Sequence, residues 1–199
     1  MNATTQRAEP ITPPVIVVSG LPRSGTSAMM KMLAAGGVPL LTDAVRGADD
    51  DNPDGYFEFE PVKELRKGEH AWLRDAPGRA VKIVSGLLTG LPLDFSYQVI
   101  FMNRRISEVL ASQRKMLIRR GEPADAIPDD RMAAIFAKHL REVHAWLAAQ
   151  PNIAVLEVDY NALIADPRPH AAQVDRFLDG DLDIAAMCAA VNPDLYRNR

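Results

Sequence analysis

Between residues 15 and 27 the chain reads VIVVSGLPRSGTS: an aliphatic run, then Gly20, four further residues, and Gly25-Thr26-Ser27. Two glycines at that spacing followed by a hydroxyl pair form the frame of a phosphate-binding loop, but Thr26 stands where a nucleotide-hydrolysing loop carries lysine. Between a buried strand and a helix, residues 22–27 turn their backbone N–H groups toward one point at the positive end of that helix. An anion belongs there. Ser24, Thr26 and Ser27 add hydroxyl donors, and Arg23 adds a permanently charged planar fork suited to oxyanions. The plain alternative is an ordinary glycine turn after a strand.

A triphosphate site normally needs the absent lysine, and also an acidic residue ending a neighbouring strand to hold magnesium. The aliphatic run at 97–102 ends instead in Asn103-Arg104-Arg105, the wrong charge for a metal and the right one for a second phosphate. Glu157 and Asp159, near the end of the run at 153–158, keep a magnesium-dependent kinase open as an alternative.

Short aliphatic runs alternate with longer helical patterns, which predicts βαβ units around a mostly parallel sheet: an α/β three-layer sandwich with helices on both faces. Strands are expected at 15–19, 80–84, 97–102 and 153–158, with a short one near 38–41, and their aliphatic content implies burial on both faces. Helices are expected over 26–35, 107–119, 130–149 and 169–178. In the third, Met132, Ile135, Phe136, Leu140, Val143 and Leu147 recur at helical spacing and should bury one stripe. The segment 121–129, GEPADAIPD, reads as a mobile surface loop.

With 199 residues, 47% of them hydrophobic, the chain fills one core, so residues 15–199 are expected to form a single domain after a loose polar leader at 1–14. Lys and Arg number 23 against 26 Asp and Glu. That balance gives no general attraction to nucleic acid or anionic lipid, and any anion site must be local. The lone Cys188 excludes an internal disulfide and thiolate metal clusters, and it suits a reducing cytoplasm. No apolar run is long enough to span a bilayer, so a soluble cytoplasmic protein is expected.

Here the sequence resembles the sulfotransferase superfamily, whose members move a sulfuryl group from 3′-phosphoadenosine 5′-phosphosulfate. Pro22-Arg23-Ser24-Gly25-Thr26 matches the 5′-phosphosulfate loop that reads PRSGT in many bacterial members. In FMNRRISEVLASQ, Arg104 and Ser112 match the family's strand-end arginine and the serine eight residues on, which hold the 3′-phosphate; Ile106 stands where proline is common. The pair Arg105 and Ser112 is the second choice, since Arg105 should point to the opposite side of the strand. Weaker likenesses lie in DNPDGYFE, residues 51–58, and VDYNALIADP, residues 158–167. The tail, ending DLYRNR, lacks the Arg-Lys-Gly motif of the eukaryotic cytosolic enzymes; Arg197 or Arg199 can substitute, though no spacing says so.

The resemblance implies the phosphosulfate as donor, adenosine 3′,5′-bisphosphate as product, no metal, and Arg23, Ser24, Gly25, Thr26, Ser27, Arg104 and Ser112 as the nucleotide-holding residues. Negative charge then grows on the leaving 5′-phosphate, so Arg23 is either catalytic or purely binding. A hydroxyl or amine acceptor must shed a proton, and Glu58 is the candidate base, with a structural carboxylate as the alternative and His70 as a distant second. His139 and His144, five residues apart on a helix, splay from one another and hold no metal together. The run Asp49-Asp50-Asp51 with Asp54 lacks the spacing of a calcium loop and reads as a solvated loop. The acceptor is expected to be a small molecule or glycan, met by segments 40–75 and 115–130, where Tyr56, Phe57, Phe59, Trp72 and Met116 form either partly apolar walls or ordinary core. Three functions follow: a sulfotransferase, a kinase or phosphotransferase on the same scaffold, and a noncatalytic nucleotide-binding protein.

Overall fold

The computed structural model describes residues 12–43 and 55–192. The acidic run at 49–54, Arg197, Arg199 and most of the leader lie outside the described residues. The aliphatic run that opens the sequence forms strand β1, Val15–Gly20, buried at all six positions. Burial on both faces is the condition under which a strand needs no polar alternation, and it places β1 inside a parallel sheet. With β2 (Ala80–Lys82), β3 (Tyr97–Asn103) and β4 (Ile153–Asp159) it makes, among the described residues, a four-stranded sheet in the order β2-β1-β3-β4. Every pairing is parallel; Val18 stands opposite Lys82, and Tyr97 opposite both Val15 and Ile153.

Side chains of the sheet alternate between two cores. Val15, Val17, Val99 and Phe101 face helix α3 (Asp129–Ala148), through Val143 and Leu147, and the short tightly wound helices Glu60–Lys67, Ala71–Asp75 and Ser85–Gly90. Ile16, Val18, Ile100 and Met102 face α1 (Thr26–Ala35), through Met29, Met30 and Leu33, together with α5 (Pro167–Phe177) and α6 (Ile184–Ala189). Helix α2 (Ile106–Arg119) leaves the end of β3, and α4 (Tyr160–Ala165) follows β4 directly, with the Asp159 carboxylate accepting from the Ala162 N–H at 3.0 Å. Among the described residues, no helix is long and apolar enough to cross a membrane.

The sheet departs from expectation at its edges. The strand read at 80–84 ends at Lys82, although the Ile83 N–H still reaches the Val18 carbonyl at 3.0 Å, and residues 38–41 contribute one isolated bridge, Leu40 to Ala80. β4 is not buried on both faces: Ala154, Val155 and Glu157 are exposed, because β4 closes one edge of the sheet and, among the described residues, is only partly covered. Likewise the stripe on α3 is buried only at Val143 and Leu147, while Ile135 is 46% exposed. Twenty residues of helix reach about 30 Å, at ~1.5 Å per residue, whereas a strand of seven reaches about 23 Å, at ~3.3 Å. The helix therefore outreaches the strand by about 7 Å, roughly five residues, and the start of α3 has less sheet to pack on. The loop at 120–128 lies on the surface and is tied to α2 by Arg114, whose guanidinium meets Asp125 at 2.7 Å and Asp129 at 2.9 Å.

Candidate functional site

In an open parallel sheet the crevice beyond the carboxyl ends of the strands is the natural ligand position, and the glycine loop turns there between β1 and α1. Gly20 leaves β1 at φ +145°; a Cβ on it would lie 2.5 Å from Ser24 Oγ and 2.6 Å from the Met102 carbonyl, so only glycine lets the loop fold down onto β3. Gly25 caps α1 in the left-handed region at φ 100°, where a Cβ would strike the Tyr160 ring at 2.2 Å. Arg23 also has a positive φ, 72°, an uncommon conformation for a side chain of this size.

The loop offers fewer amides than residues 22–27 suggest. Pro22 has no N–H, and the Ser24 N–H bonds back to the Leu21 carbonyl at 3.1 Å. The Ser24 hydroxyl is buried without a hydrogen-bond partner among the described residues. A buried hydroxyl left over at the base of a glycine loop fits a loop that takes an anion. Thr26 is buried as well, and Ser27 Oγ approaches the Tyr56 carbonyl at 3.5 Å.

Arg23 does not curl into its own loop. Its Nε donates to Ser112 Oγ, 2.9 Å away on α2, and its carbonyl accepts from Arg104 Nη1 at 3.1 Å. The three residues read as belonging to two separate anion sites thus touch. Ser112 is 4% exposed and faces the strand end, as its place on α2 predicts. Arg104 and Arg105 part company: the first side chain is 7% exposed and the second 71%. Arg104 lies over the Tyr160 ring with its guanidinium carbon 4.8 Å from the centroid, so one aromatic ring braces both Gly25 and Arg104.

Two more residues at this edge escaped the sequence reading. Glu108, 5% exposed in the first turn of α2, accepts from Arg104 Nε at 3.0 Å, from Arg105 Nη1 at 3.3 Å, and from Asn161 Nδ2 at 2.8 and 3.0 Å. Lys82, at the end of β2, donates to the same Tyr56 carbonyl that Ser27 approaches, and so stands beside the start of α1. A cation in the middle of the aliphatic run AVKIV was the available signal for Lys82. Glu108 gave none.

Glu58 follows Tyr56 by two residues, on the segment that reaches α1, and its carbonyl accepts from the Asp43 N–H at 2.9 Å. His70 caps the short helix Ala71–Asp75, and His139 and His144 go to different partners, Ser85 Oγ at 2.9 Å and Glu157 at 3.3 Å. Phe59 and Trp72 stack edge to face, with centroids 5.5 Å apart, against the core, and Tyr56 is buried; these aromatics are core rather than an open wall. The two carboxylates that kept a magnesium site open are engaged elsewhere, Glu157 by Asn103 Nδ2 at 2.5 Å and Asp159 by its cap on α4.

No family model and no curated protein matches this sequence. Solved structures do match the fold. A sulfotransferase domain from the Synechococcus PCC 7002 olefin synthase has a TM-score of 0.55 at 17% identity, covering 96% of this chain and 82% of that one. The sulfotransferase domain from the curacin biosynthetic pathway has a TM-score of 0.52 at 15% identity, covering 92% and 79%. Sulfotransferase STF1 from Mycobacterium tuberculosis has a TM-score of 0.53 at 19% identity, covering 89% and 71%. At such identities the likeness is one of fold.

Proposed function

We propose that this chain, which has the fold of those sulfotransferase domains, transfers a sulfuryl group from 3′-phosphoadenosine 5′-phosphosulfate to a hydroxyl or amine of a small-molecule or glycan-type acceptor, without a metal. The observation that carries this reading is the contact of Arg23 with Ser112 and Arg104, which brings the glycine loop and the strand-end arginine together at one corner beyond the strands, as a single ligand with two phosphates would need. A donor bound there supplies an activated sulfuryl group and a phosphate that leaves with the adenosine.

In this reading Ser24, Gly25, Thr26 and Ser27 hold the 5′ end at the positive terminus of α1, and Arg104 with Ser112 holds the 3′-phosphate. Arg23, already bonded to Ser112, lies between the two and serves as the charge set against the 5′-phosphate as it gains electrons. Lys82, on the other flank of the loop, adds a second positive charge beside the start of α1. Glu58, two residues from the Tyr56 carbonyl that meets Ser27 and Lys82, takes the acceptor's proton. Residues 15–199 act as one domain, and the setting is cytoplasmic.

The test is an acceptor screen with the phosphosulfate as sole donor and mass detection of products carrying one added sulfuryl group. Release of adenosine 3′,5′-bisphosphate matched to a sulfated product supports transfer. Tight nucleotide binding with no product from any hydroxyl or amine class overturns it in favour of a noncatalytic binder.

A further inference from the structure

We propose that Glu108 is a positioning residue that makes the strand-end arginines selective for a 3′-phosphate; this rests on the sulfotransferase reading of the site. Its carboxylate is almost wholly buried, and a buried carboxylate survives only when its charge and lone pairs are met. Four hydrogen bonds meet them: one from Arg104, one from Arg105 and two from Asn161. Its place in the first turn of α2, where the helix end is positive, adds to the support.

The consequence falls on Arg104. Its Nε is fixed by Glu108, its Nη1 by the Arg23 carbonyl, and its plane by the Tyr160 ring. A guanidinium held in this way keeps one orientation, and a planar fork of fixed orientation binds a phosphate in one place. Arg105, exposed at 71%, is tethered to the same carboxylate.

Glu108 also subtracts charge. Among the described residues of this corner, Arg23, Arg104 and Arg105 are cations, and the Glu108 carboxylate offsets one of their charges. Without the carboxylate the two strand-end arginines become a loose, more positive patch that accepts a 5′- or a 3′-phosphate alike. Removing Glu108 should therefore erode selectivity more than it erodes anion binding.

The experiment titrates the full chain calorimetrically with adenosine 3′,5′-bisphosphate and, separately, with adenosine 5′-monophosphate. The wild type should prefer the bisphosphate; in Glu108→Gln the ratio of the two affinities should fall about tenfold, while Glu108→Asp, which keeps the charge, should retain most of it. A ratio unchanged in Glu108→Gln, or both ligands weakened by the same factor, overturns the proposal and leaves Glu108 a structural residue. If Glu108→Gln does not fold, Asn161→Ala decides: it removes two of the carboxylate's four hydrogen bonds and should lower the ratio about threefold, and an unchanged ratio again overturns the proposal. A wild type with no preference for the bisphosphate instead defeats the sulfotransferase reading itself, and this proposal with it.

Discussion

Arg23 Nε donates to Ser112 Oγ across a separation of 89 residues, joining the loop after β1 to the second turn of the helix after β3. Two segments that the sequence presents as independent anion sites are therefore one surface. Because Arg104 in turn bonds the Arg23 carbonyl, a change at any of the three is felt by the others.

Ser112→Ala removes a buried hydroxyl that Arg23 uses. The hydroxyl is uncharged but its Arg23 partner is a cation, which puts the bond near the low end of the charged range, about 1.5 kcal/mol, so affinity for adenosine 3′,5′-bisphosphate should fall about tenfold. Arg104→Ala removes a charged contact, worth about 1.5–3 kcal/mol, and should cost about ten- to a hundredfold. Titration calorimetry of both variants checks the order; an Arg104→Ala protein that binds as well as the wild type contradicts the assignment of this subsite.

Gly25→Ala places a methyl where the Tyr160 ring already lies, 2.2 Å from the added carbon, at a φ of +100° that costs an L-residue about 1–2 kcal/mol before any clash. Thermal unfolding should show a clear loss of stability, and nucleotide binding should fail because the loop and the ring that backs Arg104 shift together. A variant with unchanged melting and unchanged binding contradicts this geometry.

Glu58→Gln keeps size and removes the proton-accepting charge. Turnover should be abolished while bisphosphate affinity stays within about a factor of two of the wild type. Equal loss of both, seen by comparing steady-state rates with titrations, assigns Glu58 a structural part instead.

Tyr97 is buried and donates to the Pro92 carbonyl at 3.0 Å; burial first, and then the charge of Asp94, pushes its phenol well above the ordinary value of 10. The folded chain then holds a proton that the unfolded chain gives up above pH 10, so this residue's contribution is complete below that pH and declines as pH rises past it. Denaturant melts from pH 8 to 11 should show a steeper alkaline loss for the wild type than for Tyr97→Phe. Parallel curves contradict the shift.

The glycine loop and the central strands were legible because their signals are local: unbroken aliphatics for a strand buried on both faces, and a fixed glycine spacing for the turn. The pair Arg104 and Ser112 was picked out by the family resemblance; what the fold adds is that both residues meet Arg23. The exposure of β4 was not, since an edge strand and an interior parallel strand can share one aliphatic composition. Helices α4 and α6, six residues each, are too short to show a period. The network of Arg23, Glu108, Tyr160 and Asn161 depends on side chains meeting across the sheet edge, and no local pattern encodes that.

The most direct test of the central claim is thermal unfolding of the wild-type chain with adenosine 3′,5′-bisphosphate in the presence of a chelator, beside the same chain with ATP and magnesium. A ligand that binds only the folded state raises the melting temperature as its concentration passes its dissociation constant. The account predicts a concentration-dependent rise with the bisphosphate that needs no metal and exceeds the rise with magnesium ATP. A rise only with magnesium ATP, or none with the bisphosphate, contradicts it.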